Sequence, residues 1–288
     1  MDQIGLVSVV LPTRNRADLL AEQLAAFAGQ THVGAWELIV ADNGSVDRTA
    51  EVVQAFADRI PVRRVPAFER ASIAFARNTG AAHALGDYLL FVDDDDRVMP
   101  GWLDAMVRAA QQSAVIGGRE RWFRPGDEGA APFAVTETTE LDRAFRFLPI
   151  VSGSNGGVCR VLFERVGGFS EQYRRCEDID FFWRAQLAGG CRAQFVEDAV
   201  LEYRLRPGVQ AIWKQAYADA REVPQLYRHF RAYGMPRDLK SSLAGWMRIA
   251  RYGPRWLFSD RGRQELAKEA GWLLGRTVGS FHAGVLYL

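Results

Sequence analysis

Four consecutive aspartates, Asp93-Asp94-Asp95-Asp96, follow the apolar run Tyr88-Leu89-Leu90-Phe91-Val92. Adjacent carboxylates repel one another unless a cation or a set of donors neutralises them. A hard divalent ion, Mg2+ or Mn2+, takes oxygen ligands of this kind, often one or two carboxylates together with phosphates. In extended backbone Asp93 and Asp95 face the same side and could serve one ligand. Capping of a helix that starts near Pro100 would occupy one or two of the four acids and leave the rest without a role. A second acidic pair, Glu177-Asp178, heads an expected helix, where it is either favourable N-terminal charge or the source of a general base. Asp42-Asn43-Gly44-Ser45 is good turn chemistry in itself. Arg77 falls inside an expected helix, where a solvated arginine is ordinary.

These residues are placed by a repeating βα pattern. Leu6 to Leu11 reads as a strand, followed by Leu19, Leu20, Leu24 and Phe27 at helical spacing. Glu37 to Ala41 repeats the strand, Asp47 opens a helix through Phe56, and Val62 to Val65 gives a third strand. Ser72 to Leu85 is an expected helix and Tyr88 to Val92 an apolar strand. A helix over 101–112 and a strand near Ala114 to Gly117 come next. Residues 119–148 lose periodicity and read as a loop-rich insert. Order returns with Val158 to Phe163, a helix from Asp178 to Leu187 and a strand pair over 193–203. The last eighty residues read as helical, anchored by Trp213, Tyr217, Leu226, Tyr227, Trp246, Trp256, Trp272 and Leu273, with breaks at Pro224, Pro236 and Pro254. Such alternation predicts an α/β fold with a mostly parallel sheet between helices. In such sheets ligands sit beyond the carboxyl ends of the strands, which is where Pro12-Thr13-Arg14-Asn15, Asp42 to Ser45 and Asp93 to Asp96 all fall.

The 288 residues are 48% hydrophobic and 25% charged, the makeup of a globular chain with a full core. No basic stretch precedes an apolar run at the N-terminus, and no apolar run is long enough to span a bilayer, so the expected location is the cytoplasm. Three cysteines without metal-ligand spacing read as reduced and structural. The net charge of +1 hides an asymmetry: residues 204–263 hold 13 Lys/Arg against 4 Asp/Glu, and the rest of the chain is net −8. That stretch is either a solvated basic face or a site for an anionic partner. No nucleic-acid module accompanies it, so nucleic acid is not expected. No G-x-G-x-x-G follows the first strand, which argues against a nicotinamide dehydrogenase.

Taken in order, Val7 to Arg16, Glu37 to Ser45 with Asp47 and Thr49, Ala76 to Gly80, and Phe91 to Asp96 resemble the family 2 glycosyltransferases of the GT-A fold. The resemblance runs from about Leu6 to Arg206. It implies a catalytic domain over 1–208, with a donor half of about 1–100 and an acceptor half of about 101–208, and a helical extension over 209–288. It implies an inverting enzyme that moves a sugar from a UDP-, GDP- or dTDP-linked donor to an acceptor hydroxyl. Pro12, Thr13, Arg14, Asn15, Asp42 and Asn43 would form the nucleotide cradle, with Arg77 fixing the donor. Asp93 would meet the ribose, Asp94 would belong to the same cradle, and Asp95 would hold the Mg2+ or Mn2+. Gly153, Ser154 and Asn155 resemble the family's small-residue acceptor loop, with Glu177 and Trp183 beside it and Asp178 as the general base.

Many relatives carry a histidine after the last strand, where this chain has Glu202-Tyr203-Arg204-Leu205-Arg206. There Arg204 and Arg206 would clamp the diphosphate or simply begin the basic tail. The tail's tryptophans and arginines suit either a peripheral membrane contact near a lipid-linked acceptor, on the inner face, or packing against the catalytic body or a second subunit. Rival readings are a phosphatase or phosphotransferase with Asp93 as nucleophile, and a non-catalytic nucleotide-sugar binder.

Overall fold

The computed structural model describes residues 4–123, 136–143, 145–205 and 208–287. Strands and helices alternate as β1 (Val7–Thr13), α1 (Ala17–Ala28), β2 (Trp36–Asp42), α2 (Thr49–Phe56), β3 (Val62–Pro66), α3 (Ile73–His83) and β4 (Tyr88–Val92). There follow β5 (Arg97–Val98), α4 (Trp102–Ala110), β6 (Val115–Phe123), β7 (Thr136–Glu137), β8 (Asn155–Cys159), α5 (Arg160–Arg165), α6 (Glu177–Gly189) and β9 (Gln194–Arg204).

The first strands are continuous apolar runs because both of their faces are covered. Val9, Leu38 and Leu90 join one core with Leu20, Leu24 and Phe27 of α1, whereas Val10, Ile39 and Phe91 join the other with Ala74 and Ala81 of α3. The two-residue period thus puts a core on each side of one sheet. Gly80 sets the distance of α3 from that sheet, since a Cβ there would lie 2.5 Å from Val10 Cγ1. Arg77, one turn earlier on α3, is therefore held close to the strand ends.

The sheet order is β3-β2-β1-β4-β8-β6-β9-β5, with β7 paired to β6. The pairs β3-β2, β2-β1 and β1-β4 are parallel, and so is β6-β9, while β8 runs antiparallel to β4 and β6. Helices cover both faces, as expected of an α/β fold, and beyond β4 the sheet is mixed.

Several sequence expectations change. The loop-rich insert begins later than residue 119, because β6 continues through Arg119 to Phe123 against β9; residues 124–135 lie outside the described residues. The pair of strands over 193–203 is one strand, β9, whose register against β6 shifts between Gly118 and Arg119. The stretch from Val158 to Phe163 is the end of β8 followed by α5, not a single element.

The chain divides into two compact units, one made of residues 1–142 and 148–204 and the other of 143–147 and 205–288. The second unit contains α7 (Val209–Phe230), α8 (Lys240–Trp256) and α9 (Asp260–Ala283). Gly271, Gly275 and Gly279 line one side of α9, and a Cβ at any of them would run into the backbone of Trp213, Tyr217 or Arg221 on α7. Pro224 and Pro254 lie inside α7 and α8 instead of breaking them. Each removes one backbone hydrogen bond, and packing of the helix outweighs that local loss. No described helix is long and apolar enough to cross a membrane.

Candidate functional site

Parallel pairing sets Thr13 directly beside Asp42 at the carboxyl ends of β1 and β2, and the Asn43 N–H donates to the Thr13 carbonyl at 2.8 Å. Asp42 is buried, with one oxygen accepting from the Ser45 N–H and the other from Arg64 Nη1, both at 2.8 Å. Asn43 Nδ2 donates to the carbonyls of Ala67 and Arg70. Asn15 has a left-handed backbone, φ 53°, that only a few residue types tolerate. It ties the first loop to the second: its N–H donates to Ser45 Oγ and its Oδ1 accepts from the Val46 N–H. Pro12 is buried and Arg14 is exposed.

The aspartate run does not continue β4. It turns, so alternate residues no longer share a side, as extended backbone would require. Asp94 folds back into the protein, accepting from Thr13 Oγ1 at 2.6 Å and from Arg16 Nη1 at 2.9 Å. Its burial outweighs these two bonds and pushes its pKa up to about 6. Asp93, Asp95 and Asp96 converge instead, with one carboxylate oxygen from each within 4.8 Å of the others. Asp96 Oδ1 accepts from the Arg204 N–H at 3.0 Å, while its buried Oδ2 has no hydrogen-bond partner. Burial, with Asp93 and Asp95 adding repulsion, raises the Asp96 pKa well above the ordinary carboxylate value. Three hard oxygen donors and an unsatisfied buried oxygen fit a divalent cation better than they fit the protein alone. Asp96, part of the aspartate run but given no role of its own by the family resemblance, belongs to this set.

Arg77 joins the turn to the second acidic motif. Its guanidinium is 2% exposed and donates through Nη2 to Asp93 Oδ1 and through Nη1 to Glu177 Oε1, each at 2.8 Å. Burial opposes its charge, and the carboxylates of Asp93, Glu177 and Asp178 outweigh that, so its pKa is raised. The group also lies 5.3 Å from the Phe169 ring centre. Gly153 is its floor: a Cβ there would stand 2.7 Å from the guanidinium carbon. The glycine is required by an arginine of the protein itself, whereas the sequence reading reserved it for an acceptor.

Glu177 and Asp178 begin α6. Glu177 is buried, its Oε2 has no hydrogen-bond partner, and burial together with Asp178 pushes its pKa up to about 7. Asp178 is partly exposed, accepting from the Gly153 N–H at 2.9 Å and from the Ile179 N–H at 2.8 Å. Burial raises its pKa against the pull of Arg77 and these two N–H groups. Asp180 points elsewhere, to Arg184 Nη2 at 2.6 Å, as its place on the helix requires.

Other residues expected to touch an acceptor are structural. Trp183 is fully buried and its Nε1 donates to the Leu148 carbonyl at 3.2 Å, so it is a core side chain. Asn155 lies on β8, where its Oδ1 accepts from Trp102 Nε1 and its Nδ2 donates to the Arg119 and Ala199 carbonyls. The Ser154 hydroxyl is buried against that of Ser152 at 2.9 Å. The glycines after Asn155 relieve packing: a Cβ on Gly156 would meet Phe182, and one on Gly157 would meet Leu90.

Arg204 holds the aspartate turn, donating from Nε to the Asp95 carbonyl at 2.9 Å and from Nη2 to Glu22 at 2.5 Å. With those bonds made, it is not a free clamp for a diphosphate. Arg206 lies outside the described residues. Arg16 bridges Asp94 and Asp95, at 2.9 and 2.7 Å, and sequence reading overlooked it because an arginine after a strand has no distinctive context. Glu120 on β6 was hidden by the loop expectation. It accepts from Trp122 Nε1 at 3.0 Å, and burial raises its pKa, with Asp93 and Asp142 adding to the effect.

The model of the glycosyl transferase family 2 matches residues 8–167, which span every strand of this arrangement except β9 and every motif except Glu177-Asp178. The pre-mycofactocin glycosyltransferase of Mycobacterium tuberculosis is 28% identical over 236 residues, 77% of this chain and 48% of that protein. The chain thus spans less than half the length of the first curated relatives it matches. Among solved structures, the mannosyltransferase PcManGT of Pyrobaculum calidifontis, in complex with GDP-Man and Mn2+, aligns with a TM-score of 0.66 at 18% identity. That alignment covers 97% of this chain and 87% of the other. TarS residues 1–349 of S. aureus, in complex with UDP-GlcNAc, align with a TM-score of 0.58 at 16% identity, covering 98% and 93%. At such identities the structural likeness speaks for the fold, which is GT-A. The family match covers more than half of the sequence, and the chain belongs to the glycosyl transferase family 2.

Proposed function

We propose that this chain transfers a sugar, with inversion, from a nucleoside-diphosphate sugar to an acceptor hydroxyl. The observation that carries the reading is the double bond of Arg77 to Asp93 and Glu177, which ties a carboxylate cluster suited to a cation to the head of the helix that presents Asp178. Residues 1–208 would be the catalytic domain and 209–288 its helical extension.

In this account Asp93, Asp95 and Asp96 are the residues that would hold Mg2+ or Mn2+, which when bound supplies positive charge to the departing diphosphate. Pro12, Thr13 and Asp42 receive the nucleobase; a carboxylate oxygen can accept more than one hydrogen bond, so Asp42 keeps capacity for a ring N–H. Asp94, locked onto Thr13 and Arg16, shapes that cradle without touching the donor. Asp178 takes the proton from the acceptor hydroxyl as its oxygen attacks the anomeric carbon, and displacement from the opposite side inverts that centre. The two backbone N–H groups on Asp178 fix its carboxylate, and its partial exposure gives a hydroxyl access. Glu177, spent on Arg77, positions its neighbour. The solved complexes of PcManGT with GDP-Man and Mn2+ and of TarS with UDP-GlcNAc support a nucleotide-sugar donor.

The test is Asp178→Asn. Donor-dependent thermal stabilisation should persist while transfer falls by about a hundredfold or more. Transfer at the parental rate would remove Asp178 as the base.

A further inference from the structure

Helix α8 is built the wrong way round for a helix facing water. Its inner side carries Ser242, Gly245 and Gly253, all buried, and Gly245 packs so closely that a Cβ there would stand 2.9 Å from Leu273 of α9. Its outer side carries the bulky apolar residues: Leu243, Trp246, Met247 and Leu257 are 63%, 43%, 57% and 56% exposed, and Phe258 just beyond is 87% exposed. The positions 243, 246, 247, 250, 254 and 257 follow i, i+3, i+4, i+7, i+11 and i+14, which is one stripe of a helix. Exposed Ala250 and Pro254 complete it. Contiguous apolar surface of this kind marks an interaction site.

The charges say what covers it. Within Lys240–Trp256 there are four cations, Lys240, Arg248, Arg251 and Arg255, and no acidic residue. Arg248 turns to Glu269 of α9 at 2.5 Å, whereas Lys240, Arg251 and Arg255 are exposed along one flank of the stripe. A second copy of this chain, docked about a two-fold axis, would bring this same cationic face against itself. An anionic lipid surface answers both features at once, taking the apolar stripe to the depth of its acyl boundary and pairing the flank with headgroup phosphates. Trp246, on the stripe, has the ring-plus-polar-tip character that favours that depth. With no described helix able to cross a bilayer, α8 would lie in the plane of the surface.

We propose that the outer face of α8 docks this protein on an anionic lipid surface. The proposal stands on the second unit alone and holds whether or not the donor reading does. The test is co-sedimentation of the full chain with phosphatidylcholine vesicles with and without phosphatidylglycerol, for the unmodified chain, for Met247→Ser/Phe258→Ser and for Lys240→Glu/Arg255→Glu. The unmodified chain should pellet with the anionic vesicles only, and less so as salt rises. Each double variant, its thermal midpoint unchanged, should partition at least about tenfold more weakly. Recovery in the supernatant with both lipids overturns the proposal, as does equal binding to neutral vesicles. A dimer that Met247→Ser/Phe258→Ser dissociates, without lipid binding, overturns it in favour of self-association. The salt titration of the unmodified chain needs no variant, so poor folding of either variant leaves the proposal open to refutation.

Discussion

Arg77 and Gly153 are fitted to one another: the guanidinium of the arginine occupies the space that a Cβ on the glycine would need, with 2.7 Å between that position and the guanidinium carbon. The arginine reaches Asp93 and Glu177 only because position 153 has no side chain, and the Gly153 N–H in turn holds Asp178.

Gly153→Ala should therefore damage function more than it damages the fold. The added methyl must displace Arg77, at a cost of about 1–3 kcal/mol by comparison with overpacked cores. Transfer should fall by tenfold or more, while the protein remains folded by circular dichroism. A fully active Gly153→Ala chain contradicts the fit.

Arg77→Met removes the cation that joins Asp93 to Glu177, leaving the buried Glu177 without its bond to the guanidinium. Breaking one side of a buried ion pair costs about 3–5 kcal/mol. Urea denaturation should show a loss of that size, larger than for Arg14→Met, whose side chain is exposed.

Asp94, Asp95 and Asp96 should separate into two classes. Asp95→Asn and Asp96→Asn should weaken Mn2+-dependent stabilisation, read from the thermal midpoint across a Mn2+ titration, by about tenfold or more. Asp94→Ala should leave the Mn2+ response in place and lower stability by about 1–3 kcal/mol, because it leaves the buried Thr13 hydroxyl without its acceptor and Arg16 with Asp95 alone. Equal effects at Asp94, Asp95 and Asp96 would argue against the turn.

Burial and Asp178 push the Glu177 carboxyl up from an ordinary 4.5 to about 7. A carboxyl that holds its proton more tightly when folded stabilises the fold most below its ordinary pKa, and that contribution is lost as pH rises toward the folded value. Stability should decline between about pH 4.5 and 7, and Glu177→Gln should flatten the decline, in denaturation series run across that range. The Asp178 pKa is raised as well, so the acid limb of kcat/KM should titrate above the ordinary carboxylate range, with an apparent pKa that belongs to the pair.

The strands that place the site were legible because each is an apolar run covered on both faces, as Val9 and Val10 show by joining opposite cores. The polar residues just past Leu11, Ala41 and Val92 were legible for the same reason, since each strand signal stops where the crevice begins. Long-range links were not. Arg77 pairs with Glu177 across 100 positions, and nothing in helical spacing separates an arginine that turns inward from one that faces water. The place of Asp96 within the run was not legible, because extended backbone pairs Asp93 with Asp95 whereas the chain turns there. Glu120 was missed because β6 runs on through three charged residues, Arg119 to Arg121, with no apolar alternation, and finds its partner, β9, some eighty residues later. Trp183 misled in the other direction, since the family resemblance sets it beside the acceptor loop and here its ring fills the core.

The central claim is that the groups gathered beyond β1, β2 and β4 hold a nucleotide sugar, with Asp93, Asp95 and Asp96 holding a divalent cation for it. It is tested most directly by thermal denaturation against UDP-, GDP- and dTDP-linked sugars, with and without Mn2+. The account predicts that one nucleotide class raises the midpoint only when Mn2+ is present, and that Asp95→Asn abolishes the rise. No rise with any of the three classes in the presence of Mn2+ would contradict it.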